Sequence, residues 1–163
     1  MAFHAPTKSN TVTCKYHVKG SHWMAGYHTG TDYAGKYGDP IYAVAGGKVI
    51  HANRMGGWGI GYGIHVIIET EGVVEGKLQT AYCHMSHVNL EVIAKGVVKS
   101  GDIIGFVGAS GNTTGPHLHL EMRVAPFMYD NKTLNPESVI KLATTPVKKP
   151  PVKAPAKKPG QKP

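Results

Sequence analysis

The residues best suited to chemistry begin with one short run, Gly115-Pro116-His117-Leu118-His119-Leu120-Glu121. The His/Leu alternation reads as a β-strand of period two, with His117, His119 and Glu121 on one face and Leu118, Leu120 and Met122 on the other. Any wet face of an antiparallel strand can carry two imidazoles, so the pair alone decides nothing. A zinc ion takes three or four nitrogen, sulfur or oxygen ligands. The test is whether further ligand types lie elsewhere in the chain.

They do. Gly26-Tyr27-His28-Thr29-Gly30-Thr31-Asp32-Tyr33-Ala34 offers one nitrogen and one oxygen ligand. Spacing of i, i+4 suits a helix face, but Gly30 and the threonines favour an extended loop that brings His28 and Asp32 to one point. In isolation, the pair reads better as a capping or turn-stabilising contact. Leu78-Gln-Thr-Ala-Tyr-Cys-His-Met reads as another strand, with Tyr82 and His84 on one face and Cys83 on the opposite one. Strand neighbours diverge, so Cys83 and His84 make a poor nucleophile and base pair; a thiol mechanism would need His117 or His119 from across the fold. His87 stands at a metal-like spacing from His84, but where the strand should turn into a loop.

The elements that must position these side chains are short strands. The chain has 163 residues, 41% of them hydrophobic, and 21 glycines against three Phe and two Trp, which suits many tight turns in an all-β, β-rich domain. Pro40-Ile-Tyr-Ala-Val-Ala and Gly47-Lys-Val-Ile-His-Ala-Asn are strand-like runs split by Gly46-Gly47, a hairpin signal. The glycine-rich Met55 to Gly63 loop leads into a strand, Ile64-His-Val-Ile-Ile-Glu, and not a helix, so it is no phosphate cradle. A turn at Ser100-Gly101-Asp102 precedes a buried strand, and Ser110-Gly-Asn-Thr-Thr-Gly-Pro delivers the chain to His117. Asn135 as cap and Pro136 at the first helical position predict a short terminal helix. These elements make one domain over residues 1–143; residues 144–163, nearly all Pro, Lys, Ala and Val, read as a disordered, polyproline-like tail.

The formal charge is +8, but six lysines of that tail account for six of the charges and leave +2 on residues 1–143. The basic character therefore belongs to the tail, whose lysines lack the interleaved aromatics or arginines of a nucleic-acid binder. Cys14 and Cys83 are too few for a disulfide scaffold and lack the close pairing of a structural zinc site, so two reduced thiols are expected. The first residues carry no export-signal pattern and no apolar run approaches the ~18 residues of a membrane span. Synthesis in a cytoplasm, as a monomer, is the expectation.

Four ordered motifs together resemble the lysostaphin-type zinc endopeptidases: His28-Thr-Gly-Thr-Asp32-Tyr-Ala, Gly38-Asp-Pro-Ile-Tyr-Ala with Gly47-Lys-Val, Tyr82-Cys-His84, and Thr114-Gly-Pro-His117-Leu-His119-Leu-Glu. The resemblance spans about residues 25–142. It implies one zinc ion held by His28, Asp32 and His119, with His84 and His117 as catalytic histidines that do not bind the metal. It also implies a compact antiparallel, sandwich-like β fold with the site in a groove, and peptidoglycan stem or bridge peptides as substrate. Leu120 stands where a Phe is more usual. A tyrosine that many members carry before the first zinc histidine is missing; His22 or Tyr27 could fill the role, which stays unassigned.

Three protein ligands leave a fourth zinc position for water, whose pKa falls toward ~7 there. The helical His-Glu-X-X-His of other zinc peptidases is absent, so His84 and His117 would divide the proton transfer from water and the stabilisation of the oxyanion or leaving amine. The other histidines (His4, His17, His22, His51, His65 and His87) read as ordinary surface or core residues, with His65 a candidate groove lining. A wall enzyme without an export signal suits a phage lysin. The alternative is a non-catalytic cell-wall-binding module of the same fold, which would be expected to have lost ligands. For the tail, a solvated linker competes with attraction to anionic wall polymers.

Overall fold

The computed structural model describes residues 3–55, 61–127 and 132–144, with side chains described to residue 141. The Lys/Pro tail lies outside them, as does part of the Met55 to Gly63 loop. Among the described residues, ten strands and two short helices follow in chain order: β1 (Val12–Cys14), β2 (Thr31–Ala34), β3 (Pro40–Tyr42), β4 (Gly47–Asn53), β5 (Ile64–Glu71), β6 (Lys77–Val88), α1 (Leu90–Ala94), β7 (Val97–Val98), β8 (Ile103–Val107), β9 (His117–Val124), β10 (Thr133–Leu134) and α2 (Pro136–Thr144). All pairings are antiparallel, in the order β1-β2-β9-β6-β5-β4-β7, with β10 on β9, and β8 joining β3 to β6. The β-rich architecture expected from the glycine and strand pattern is therefore the one observed. None of the described helices is long and apolar enough to cross a membrane.

Period two makes the core. Leu118, Leu120 and Met122 of β9 are fully buried with Leu78 and Tyr82 of β6 and Val66 and Ile68 of β5. Each such apolar side chain contributes roughly 1.5–3 kcal/mol on burial. The intervening residues of the same strands, His117, His119 and Glu121 of β9 and Ala81 and Cys83 of β6, turn to the other face. Cys14 pairs with Asp32, Asp32 with His119, and His119 with Cys83, so register alone aligns these four in one row across four strands.

Strand β6 turns from one neighbour to another. Leu78 to Cys83 pair with β9, whereas Met85 to Val88 pair with β8. Between them one extra residue bulges out of the β5 pairing, and His84 there has φ of 62°. Its backbone N–H leaves the ladder and donates to Tyr62 O at 2.9 Å.

Two expectations need correction. The Gly46-Gly47 break does not form a hairpin, because β3 pairs with β8 and β4 with β5 and β7. Tyr82 and His84 do not share a face. Tyr82 lies in the main core, its hydroxyl oxygen accepting from Val44 N at 2.9 Å, while the bulge swings His84 over to the histidines of β9. Helix α1 was not foreseen. Helix α2 was, and Asn135 caps it, its Oδ1 accepting from Glu137 N at 3.0 Å.

Candidate metal centre

Asp32 on β2 and His119 on β9 sit opposite each other, and the loop before β2 brings in His28. That loop passes so close to β9 that a Cβ on Gly30 would lie 2.3 Å from Leu120 O and 2.8 Å from the His119 ring. Glycine is required here for close approach. The result is a triangle of ligand atoms. His28 Nε2 lies 3.0 Å from Asp32 Oδ1 and 3.0 Å from His119 Nδ1, and His119 Nδ1 lies 2.8 Å from Asp32 Oδ1.

Zinc bonds of ~2.0–2.1 Å in tetrahedral array put neighbouring ligand atoms about 3.3 Å apart, within a few tenths of an ångström of these edges. Two nitrogens and a carboxylate oxygen are also the donor types zinc takes. The residues present fit one such ion.

Each histidine here has its tautomer set by its second nitrogen. His28 Nδ1 donates to Lys15 O at 2.9 Å, leaving Nε2 as the free lone pair in the triangle. His84 Nδ1 donates to Ser110 O at 2.8 Å, and His117 Nδ1 to Gly115 O at 2.9 Å with Thr113 Oγ1 at 3.2 Å. Carbonyls only accept, so the Nε2 atoms of His84 and His117 carry lone pairs. Their rings meet edge to face with centroids 4.9 Å apart, and the His84 ring lies 5.7 Å from that of His119. His117 Nε2 is 3.6 Å from Asp32 Oδ2.

Behind the triangle sits a buried polar cluster. His119 Nε2 faces Glu121 Oε2 at 3.4 Å, and the fully buried Glu121 also accepts from Tyr62 Oη at 2.8 Å, from Thr29 Oγ1 and from Arg123 Nε. A carboxylate behind a ligating imidazole orients the ring and raises its basicity. Burial acts to lower the His119 pKa, but Asp32 and Glu121 outweigh it and push it up to about 9. Burial acts to raise Asp32, and the imidazoles of His119 and His28 nevertheless hold it well below the usual carboxylate range. His84 moves the other way, lowered to about 4 by burial and by the charge of His119.

All five expected residues are thus brought together. Glu121 was read onto the right face, two residues after His119, but without a role. Ser110 was missed: its Oγ donates to Met85 O at 2.7 Å and accepts from Ile64 N at 2.9 Å, fastening the bulge that carries His84. Nothing in a serine-glycine loop signals that. Cys14 was missed as a neighbour too; its Sγ lies within 4.8 Å of a ring nitrogen of His28 and a carboxylate oxygen of Asp32. Strand register, invisible in sequence, puts it there.

Both cysteines are free thiols. Cys83 is completely buried, and burial with the nearby carboxylates of Glu121 and Asp32 pushes its pKa well up, so it stays a protonated thiol and no nucleophile. His87 is exposed and stacks on Phe106, away from the site. His65 is buried, donates from Nδ1 to Gly63 O at 2.7 Å and packs edge-on to Tyr62. Tyr27 packs on His17 and His22 on Trp23, whose ring in turn walls His28 at 5.1 Å.

Residues 26–136 match the Peptidase family M23 pattern. The DD-carboxypeptidase/endopeptidase Mpg of Neisseria meningitidis is 41% identical over 112 residues, which is 69% of this chain and 22% of that protein. Lysostaphin of Staphylococcus simulans is 37% identical over 105 residues, 63% of this chain and 19% of its own length. The chain therefore spans about a fifth of these curated relatives. Among solved structures, the catalytic domain of S. simulans lysostaphin aligns with a TM-score of 0.68 and 29% identity, covering 80% of this chain and 92% of that one. The catalytic domain of the prophage-encoded M23 protein EnpA from Enterococcus faecalis aligns at 0.61 and 34% identity, covering 83% and 92%. A zinc-containing peptidase from Vibrio cholerae aligns at 0.64 and 31%, covering 83% and 39%.

Proposed function

Because the chain belongs to peptidase family M23, a family of zinc metallopeptidases, we propose that it is a zinc-dependent endopeptidase hydrolysing peptide bonds of bacterial peptidoglycan. The observation that carries the reading is the triangle of His28, Asp32 and His119 with two lone-pair nitrogens, His84 Nε2 and His117 Nε2, beside it. Relatives named as acting on peptidoglycan, including the DD-endopeptidase ShyB of Vibrio cholerae at 35% identity over 118 residues, support the substrate class.

His28 Nε2, Asp32 and His119 Nδ1 would hold the ion, which supplies Lewis acidity and brings the pKa of water toward ~7. His117 is the better placed base: its side chain is 19% exposed, and with Nδ1 held by Gly115 and Thr113 its Nε2 lone pair is open to take a proton. From Nε2 the same ring can return that proton to the leaving amine. His84, held by Ser110 and by the bulge, stands beside it with a lone pair on Nε2, and would accept a hydrogen bond from the attacking water or the leaving amine.

Clearing of purified cell walls, followed as loss of turbidity, tests the reading. Chelator should abolish clearing and added zinc restore it; clearing indifferent to chelator overturns the proposal. A phage lysin is the setting we propose, supported by 34% identity to a prophage-encoded M23 domain. Lysis of intact host cells on induced co-expression with a membrane-permeabilising protein tests it. For residues 144–163 we propose attraction to anionic wall polymers, supported by six lysines and no acidic residue. Deleting them should slow clearing more at low salt than at high salt.

A further inference from the structure

Strand register places Cys14 directly opposite Asp32, on the face that carries the ligand triangle. Its Sγ, a ring nitrogen of His28 and a carboxylate oxygen of Asp32 all lie within 4.8 Å of one another. The next residue is fastened to the same centre, since Lys15 O accepts from His28 Nδ1 at 2.9 Å. The thiol makes a long contact of 3.9 Å to Lys15 O. It also borders a groove of about 430 Å³ lined by Thr13, Asp32, Gly115, Pro116 and His117. Cys14 therefore stands where the groove reaches the ligand triangle.

We infer that Cys14 is a fourth, thiolate ligand of the same ion, so that the resting centre is closed by sulfur and opens when the sulfur leaves. The inference rests on the zinc reading above. A zinc–sulfur bond of ~2.3 Å with zinc–nitrogen bonds of ~2.0–2.1 Å sets sulfur about 3.6 Å from its fellow ligands, so the thiol, now within 4.8 Å of His28 and Asp32, must close in toward the centre. Strand β1 can supply that movement. It is a three-residue edge strand, and its register on β2 slips between Val12 and Cys14.

Closing forms a metal–sulfur bond and releases the thiol proton to solvent. Opening breaks that bond, the sulfur takes a proton back, and the vacated vertex becomes available to solvent or substrate. No oxidant or reductant takes part. Reagents that cap the free thiol would hold the centre open, which makes Cys14 the point at which thiol chemistry meets the site. Cys83, in the same row but completely buried, is not such a point.

The experiment substitutes cobalt(II) for zinc in the full chain and in C14S and C14A. All three proteins should bind one cobalt per chain. The unaltered chain should show the intense near-ultraviolet band of sulfur-to-cobalt charge transfer, and both variants should lose it. A chain that binds one cobalt without the band, or variants that retain it, overturns the assignment. Failure of all three proteins to take up stoichiometric cobalt sinks the metal reading itself, and the cysteine assignment with it.

Discussion

Asp32 Oδ1 and His119 Nδ1 lie 2.8 Å apart although 87 residues separate them in sequence. Antiparallel pairing of β2 with β9 creates this contact, because Asp32 and His119 are direct partners in the ladder. The candidate site is thus built into the sheet, and its geometry is as stiff as the strands that carry it.

The His119 proton must leave when a metal arrives. With its pKa pushed up to about 9, His119 holds that proton at neutral pH in the metal-free chain. In the C14S variant, which has no thiol proton to release, apparent zinc affinity should therefore rise about tenfold per pH unit from pH 6 to 8 and flatten above about 9, with close to one proton released at pH 7. Titration calorimetry in buffers of different ionisation heat measures the release. Affinity constant across that range would contradict it.

Glu121 acts through the His119 ring. E121Q keeps the size of the side chain but removes the charge facing His119 Nε2 and Arg123. Zinc affinity should fall about 10–100-fold, the usual effect of losing such a partner, with fold stability also reduced because Arg123 is left buried beside a neutral amide. Chelator competition reads the first effect and denaturant unfolding of the metal-free protein the second.

The left-handed backbone of His84, at φ of 62°, separates ring from backbone effects. H84G removes the ring but suits the conformation, whereas H84A removes the ring and keeps the strain of about 1 kcal/mol that a Cβ meets there. Both variants should lose clearing activity, and H84G should be the more stable by about that amount in urea unfolding. Equal stability would mean that the bulge relaxes without the imidazole.

Gly30 is the narrowest point of the site, where even a methyl group meets Leu120 O. G30A should weaken zinc binding at least tenfold by pushing His28 and Asp32 away from β9, while G61A, where a Cβ meets nothing and the backbone is not left-handed, should leave zinc affinity within about twofold. Comparable losses in both would remove the close-approach argument.

Much of this was legible in the sequence where a residue's role follows from period two. The His/Leu alternation of residues 117–122 gave the buried and polar faces of β9 directly, and Asn135-Pro136 gave the start of α2. What failed depends on pairing. Gly46-Gly47 looks like a hairpin locally, yet Gly47 is needed because a Cβ there would meet Glu69 O across β4 and β5. Alternation put His84 with Tyr82, and only the bulge, a property of how β6 passes from β9 to β8, turns it to the site. Cys14 and Ser110 gain their positions from strands and loops distant in sequence, so no local pattern announces them.

The central claim is that one metal ion sits between His28, Asp32 and His119. Crystals of zinc-loaded protein measured at the zinc absorption edge test it directly. An anomalous peak within bonding distance of His28 Nε2, the Asp32 carboxylate and His119 Nδ1 is the result expected; a peak bonded elsewhere, or none in protein that clears cell walls, would contradict the account.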